Sequence, residues 1–457
     1  MTTPNGAIVF DAAYGSDTQA SGLGPATALY GSGATTDGSA VVTGITTTGV
    51  TAGDLLWVQT ASGRQFSIVA SVDSGTQVTC DDTFAAGLSQ TWAIGGKRAT
   101  WDSSDSRNLF VNDAKAGFII ETETNQTLTS AITYSTEGRN DTGFIHVRGA
   151  SSVSHPVIDQ TANSGMFQGS ANVSMNWSFT NLHFTNSNSS TTSSQIGIQF
   201  RDGGRYLVTN CIFGDQTNTL YAGISVYTGG GAQFLVVDCE FKYLSFGAYG
   251  TGSPANTRDA TYINCTSHHN GNFGFNTVAV DSLINCIAHD NTGPGFILEQ
   301  KTSTTEGCSV INCVAYNNTG DGLEIEANHG AASVTNCIFV NNGGYGIEKL
   351  NTSADITLTY NYFNNNAFYN NTSGEVSSNI TAGPDGHITL TADPFTDAAA
   401  ADFTINSNAG GGSMLRSTAI TLGSTETRPF RWLDAAAASS GGSSYTNVAA
   451  AKFTRLE

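Results

Sequence analysis

The chain has 457 residues, 52 of them Gly, and only 18 Lys and Arg against 37 Asp and Glu. A formal charge of −19 repels a nucleic-acid backbone and an anionic bilayer alike, so neither is expected as a partner, and no stretch approaches the length of a membrane-spanning helix. Abundant Gly, Ser, Thr and Asn make a chain poor in helix formers and rich in turn formers, which points to an all-β protein.

The N-terminus, MTTPNGAIVFDAAYGSD, has no basic segment leading into an apolar run. No secretory leader is expected, and the chain reads as soluble and made in a cytosol unless a leader has been removed. Residues 41–98 then alternate apolar and polar positions: Phe66, Ile68, Ala70 and Val72 share one face, and a Ser74-Gly75 turn leads into Val78 and Cys80. The expectation for 1–100 is a small antiparallel β module.

Further along, a unit repeats. Asn210-Cys211, Asp238-Cys239, Asn264-Cys265, Asn285-Cys286, Asn312-Cys313 and Asn336-Cys337 follow Asn181-Leu182 and precede Asn361-Tyr362, at intervals of 29, 28, 26, 21, 27, 24 and 25 residues. A variable period in the twenties marks a solenoid whose coils carry loops of different size. NCTSHHNGNFGF, NCIAHDNTGPGF, NCVAYNNTGDGL and NCIFVNNGGYGI stack into columns: Asn270, Asn291, Asn318 and Asn342, then Gly274, Gly295, Gly322 and Gly346, then Phe275, Phe296, Leu323 and Ile347. Parallel strands about 4.8 Å apart set each side chain on its counterpart, so the Cys and the residue after Gly are expected inside. The column Asn is expected at the bend, tolerating a left-handed backbone and bonding to the next Asn.

These NCxAxxNxGxG coils resemble the repeats of right-handed parallel β-helix proteins, the superfamily of pectate lyases and many phage tailspikes. Residues 106–133 are similar to the entry of such folds, where a short capping helix precedes the first strand; 141–159 resemble an early coil and 391–410 the closing coil. The resulting fold class is all-β, a right-handed single-stranded parallel β-helix over 101–395 preceded by the antiparallel module, with a closing coil and extended tail over 396–457. The tail from about Ser424 is rich in small residues, so it is expected to be disordered or laid against a neighbouring subunit.

One cysteine per coil, held about 4.8 Å from the next, does not suit a disulfide, so Cys211, Cys239, Cys265, Cys286, Cys313 and Cys337 are expected as buried thiols. Cys80 falls in the N-terminal module, and Cys308 in a loop with partial exposure. Free thiols fit assembly in a reducing cytosol.

Candidate chemistry is sparse. Pectate lyases, which the coils resemble, use acidic residues to hold calcium and an Arg as base, yet no Arg occurs between 259 and 415. Aligned on the Gly column, Glu299 falls beside Glu326 and Glu324 beside Glu348, an outward strip that reads as solvated surface, a calcium site or a catalytic pair, with Lys301 or Lys349 as counter-charges. His268, His289 and Tyr316 share a column next to His269 and Asp290, which reads as a surface stack or a two-histidine metal site; no metal or cofactor is assigned. Tyr243, Phe246 and Tyr249 are candidates for stacking on sugars or for burial against a coil.

The leading expectation is a structural protein of a bacteriophage virion, a head decoration or a tailspike or fibre assembled in the host cytoplasm. The N-terminal module would dock on other virion proteins, the helix would project, and the tail would clasp a neighbour. The resemblance implies a homotrimer and contact with host polysaccharide. The alternatives are a polysaccharide depolymerase using the acidic strip and a bacterial surface adhesin.

Overall fold

The computed structural model describes residues 6–429, leaving out 103–117, 135–143, 170–175, 189–194, 251–258, 300–306, 327–330, 351–361, 381–385 and 422–426 and a few single residues and short runs elsewhere. Among the described residues the only helical turns are Ala398–Ala400 and Gly412–Ser417. None is long and apolar enough to cross a membrane.

Three parallel sheets form the solenoid, a first of 11 strands, a second of 11 and a third of 10, visited in that order in each coil. In one coil these are Gly307–Ile311, Val314–Tyr316 and Leu323–Ile325, after which Ala331–Thr335 returns to pair with Gly307–Ile311. Successive coils are in step, with Val314 beside Ile338 and Leu323 beside Ile347.

From Asn210 onward two left-handed corners bend each coil around its short second-sheet strand. Asn312 (φ 54°) and Asn317 (φ 51°) flank Cys313–Tyr316, and the pattern recurs at Asn264 and His269, Asn285 and Asp290, and Asn336 and Asn341. Asn and Asp are the L-residues that enter this region at least cost. The Asn column expected in that conformation sits one residue later. Relieved of the bend, Asn270, Asn291, Asn318 and Asn342 turn inward and are at most 1% exposed. Each Nδ2 donates to the Oδ1 of the next Asn, at 2.9, 2.9 and 3.0 Å, and Asn342 continues the ladder to Asn371 at 2.9 Å. The same Oδ1 atoms accept the preceding backbone N–H, as from Asn270 to Asn291 at 3.1 Å, so each of these oxygens accepts two hydrogen bonds.

Beside this ladder the interior is apolar. All eight cysteines are buried and free. Cys308 does not lie in a loop: it is on the first-sheet strand Gly307–Ile311, on the same inner side as Val310, and 2% exposed. Phe184, Phe213 and Phe241 stack at 5.0 Å intervals, the coil spacing read out by rings. The Gly column is needed for close approach: a Cβ on Gly322 would lie 2.6 Å from Phe339 Cδ1 and from the Gly346 carbonyl oxygen.

The N-terminal module is a closed six-stranded barrel running from Leu29 to Ile94. It is inserted in the solenoid, since Ala7–Phe10 already pairs in parallel with Ile119–Thr122. Leu56, Val58, Val69, Val78 and Ile94 pack inside the barrel, whereas Leu55, Trp57, Phe66 and Ile68 join the solenoid core with Phe10 and Trp101. The barrel therefore covers the end of the helix. Fully buried Arg98 lies at this junction, 3.7 Å from Asp17 and over the rings of Phe66 and Phe10. The Phe66 face does not continue to Val72 as alternation predicts, because a register shift after Val69 leaves Val72 39% exposed. The capping helix expected before Ile119 falls on 103–117, outside the described residues.

Residues 391–410 do not close the helix as a coil. Phe395–Asp397 and Asp402–Ile405 form an antiparallel hairpin whose Phe395, Phe403 and Ile405 pack on the outer side of the second sheet against Val314, Ile338 and Val340. These outward positions are apolar because they are covered. Of the tail from Ser424, Thr427–Pro429 pairs with Ala419–Thr421, and 430–457 lie outside the described residues.

Candidate functional site

The outer face of the third sheet gathers most of the candidate side chains. Two residues after each column Gly, register places Tyr249, Asn276, Ile297, Glu324 and Glu348 side by side. Phe246, Phe273, Pro294, Asp321 and Tyr345 occupy the position just before the Gly. Four coil steps at about 4.8 Å make this a strip roughly 19 Å long.

One end is aromatic. Phe246 stacks on Tyr249 at 4.9 Å and meets Tyr221 at 4.9 Å and Phe273 at 4.8 Å. Tyr243 is not part of this group: it holds a left-handed corner at the far end of the second sheet, 5.1 Å from His269. Burial and then the neighbouring Tyr221 and Glu299 raise the Tyr249 phenol.

The other end is acidic. Glu324 pairs directly with Glu348, and the register that sets Leu298 beside Ile325 carries Glu299 next to Glu326. Sequence reading missed Asp321, which occupies the column of Phe273, Pro294 and Tyr345, where a carboxyl is the outlier. Carboxylate oxygens of Asp321, Glu324 and Glu348 lie within 4.8 Å of one another. Asp321 is 7% exposed and its Oδ1 accepts the Tyr345 N–H. Burial, then a hydrogen bond with Glu348, push its carboxyl up to about 7 against that N–H, with the charges of Glu348 and Glu324 adding to the rise. Glu324 is raised by burial and by the charges of Glu348 and Glu326. Of the expected counter-charges, Lys301 lies outside the described residues, and Lys349 stands in register with inward-facing Ile325. The cluster thus sets a carboxyl raised toward neutral pH beside further acidic groups, the arrangement that acid catalysis uses.

A second group lies on the outer side of the second sheet, in a groove of about 700 Å³. His268 and His289 stack at 4.7 Å with rings parallel to within 4°, and His269 stands at the adjoining corner. Burial alone would raise the Glu240 carboxyl, but hydrogen bonds from His268 and Lys242 hold it down at about 2. Phe403 of the covering hairpin, 5.1 Å from His289, closes one side.

The fold is that of a right-handed parallel β-helix: the family model described as the right handed beta helix region matches residues 197–368. Among solved structures the chain is similar to a tailspike protein, gp49, of Acinetobacter baumannii bacteriophage Fri1, described as a capsular polysaccharide depolymerase, with a TM-score of 0.47 and 14% identity over 80% of this chain and 65% of that one. It is also similar to ORF18 of Geobacillus virus E2, with a TM-score of 0.39 and 15% identity over 63% of this chain and 56% of that one. A third similarity is to the Agl-KA catalytic domain, with a TM-score of 0.41 and 13% identity over 81% and 74%. The chain thus spans less than two thirds of the first two. No curated protein matches. One fold hosts many activities, so at such identities nothing about chemistry passes from those chains to this one.

Proposed function

We propose that the outer face of the third sheet binds a polysaccharide chain and hydrolyses it. The observation that carries this reading is the cluster of Asp321, Glu324 and Glu348, with oxygens within 4.8 Å of one another and the Asp321 carboxyl raised by burial, on a face whose other end is an aromatic platform. Sugar rings stack on aromatic faces, and a strip of roughly 19 Å accommodates several of them. Asp321 donates its proton to the glycosidic oxygen as the bond to the anomeric carbon breaks and a Glu348 oxygen bonds to that carbon; water, giving a proton back to Asp321, then displaces Glu348 and frees the second sugar end. The close approach of the two groups is nearer to the about 5–5.5 Å of double-displacement hydrolases than to the about 6.5–9.5 Å that admits a water between them.

The test is release of reducing ends from a panel of bacterial capsular polysaccharides. Asp321→Asn and Glu348→Gln are expected to lower kcat by about 10²–10⁴-fold with binding retained, and Tyr249→Ala to weaken binding. A wild-type protein that binds without cutting removes the hydrolytic half, and one that binds none of the panel removes the whole reading.

A second reading, a bacteriophage particle component assembled in the host cytoplasm, is supported by eight buried free thiols. It is compatible with the first. Mass spectrometry of purified particles tests it, and absence from them ends it.

A further inference from the structure

We propose that His268, His269 and His289 form a binding site for one divalent transition-metal ion, with Glu240 and Asp290 as the carboxylates that orient the imidazoles. One ring nitrogen from each histidine lies within 4.8 Å of the other two. His268 Nε2 is 2.9 Å from Glu240 Oε1, so this nitrogen carries the proton and Nδ1 keeps its lone pair. That Nδ1 faces His269 Nδ1 at 2.8 Å, a separation at which two ring nitrogens share either a proton or a cation. His289 Nδ1 is 2.7 Å from Asp290 Oδ2, which leaves Nε2 for a ligand. Each anchored imidazole therefore has a carboxylate on one nitrogen and a lone pair on the other, the carboxylate–histidine–metal arrangement.

Metal–nitrogen bonds of about 2.0–2.1 Å set ligand nitrogens roughly 2.9–3.4 Å apart. His268 and His269 already stand close to that spacing; His289, stacked on His268 at 4.7 Å, must turn about its side-chain bonds for its Nε2 to meet the same ion. Asp238, Glu240 and Asp290 outnumber Lys242, which pairs with Glu240 at 2.8 Å, so the groups around the imidazoles favour a cation. Stacking does not demand histidine here. The next coils place Tyr316 and Val340 in the column of His268 and His289, and Asn317 and Asn341 at the corner of His269. An all-imidazole donor set selects Zn²⁺, Ni²⁺, Cu²⁺ or Co²⁺ over Ca²⁺ and Mg²⁺, which want oxygen ligands. Three protein ligands would leave a four-coordinate ion one position for water or a ligand.

The full chain, stripped with a chelator, is dialysed against Zn²⁺ and its metal content measured, with titration calorimetry for affinity and Co²⁺ absorption as a probe of geometry. One Zn²⁺ per chain is expected, with no uptake of Ca²⁺. His269→Asn, which puts at an exposed left-handed corner the residue found in the next coils, is expected to weaken binding at least tenfold, as is His289→Gln. Asp290→Asn is expected to weaken it about 10–100-fold. Unchanged far-UV circular dichroism certifies the fold of each variant. Failure of the wild type to bind Zn²⁺ overturns the proposal, and so does binding that His269→Asn leaves unaltered, because the ion then sits elsewhere.

Discussion

Replacing Asn318 by Ala removes four hydrogen bonds made by one side chain. Its Nδ2 donates to the Ala288 carbonyl and to Asn342 Oδ1, both at 3.0 Å, and its Oδ1 accepts the Asn291 backbone N–H at 3.2 Å and the Asn291 Nδ2 at 2.9 Å. Three groups in the adjoining coil lose a partner: one N–H, one amide hydrogen and one carbonyl. A buried unmet group costs about 1–3 kcal/mol, so three span about 3–9, and local relaxation brings the expected loss to about 4 kcal/mol. The control is Asn317→Ala, one residue earlier, exposed and left-handed at φ 51°, where the loss is about 1–2 kcal/mol of backbone preference. Solenoids need not unfold in one step, so the guanidinium midpoint is read alongside hydrogen exchange of the amides around residues 288–345. Asn291→Ala combined with Asn318→Ala should cost less than the sum of the two, since both remove the same Asn291 Nδ2 to Asn318 Oδ1 bond. Equal losses for Asn318→Ala and Asn317→Ala, or strict additivity in the double variant, would refute the ladder as a source of stability.

Two further outcomes follow from the buried groups. Folding raises the Asp321 carboxyl from 3.8 to about 7, so the native state favours the protonated form; this contribution is fully present below about pH 4 and is lost as pH rises through 7. Asp321→Asn should flatten that decline and, at pH 8, exceed the wild type by about 1–2 kcal/mol, much less than the full shift implies because the cluster can relax; a wild-type stability that rises across this range, with no gain in the variant, contradicts it. All eight cysteines should resist a thiol reagent in the native protein and react together on unfolding, in keeping with a Cys80 thiol pushed up to about 12 mainly by burial; rapid labelling of any one in the native state disproves its burial.

The solenoid is legible in the sequence because registry copies one chemical demand from coil to coil. Left-handed corners call for Asn, close approach calls for Gly322 and its column, and the interior calls for Cys and a large apolar residue. What fails to appear is whatever does not repeat. The barrel alternates like any small β module, and only the paired faces of Leu55 and Leu56 along one strand reveal that it packs inward on itself and outward on the helix. The hairpin at 395–405 has the composition of a coil, and what betrays its true position is the apolar outward residues Val314, Ile338 and Val340, located some 55 to 90 residues earlier.

The same logic separates the site from its scaffold. Glu324 and Glu348 occupy one column, so their pairing can be read by aligning coils, but Asp321 belongs to another column and meets Glu348 only across the pleat between successive coils. A column alignment sees vertical neighbours alone. The histidines show the converse: His268 and His289 are visible as a column, whereas Glu240 is recruited from the coil before them, two residues ahead of Lys242, whose register is with His268. In a β-helix, positions that must repeat build the shaft, and departures from repetition that converge on one outer face are where chemistry is placed. Asp321 and His269 are both such departures, each standing where the neighbouring coils carry a residue that the fold accepts equally well.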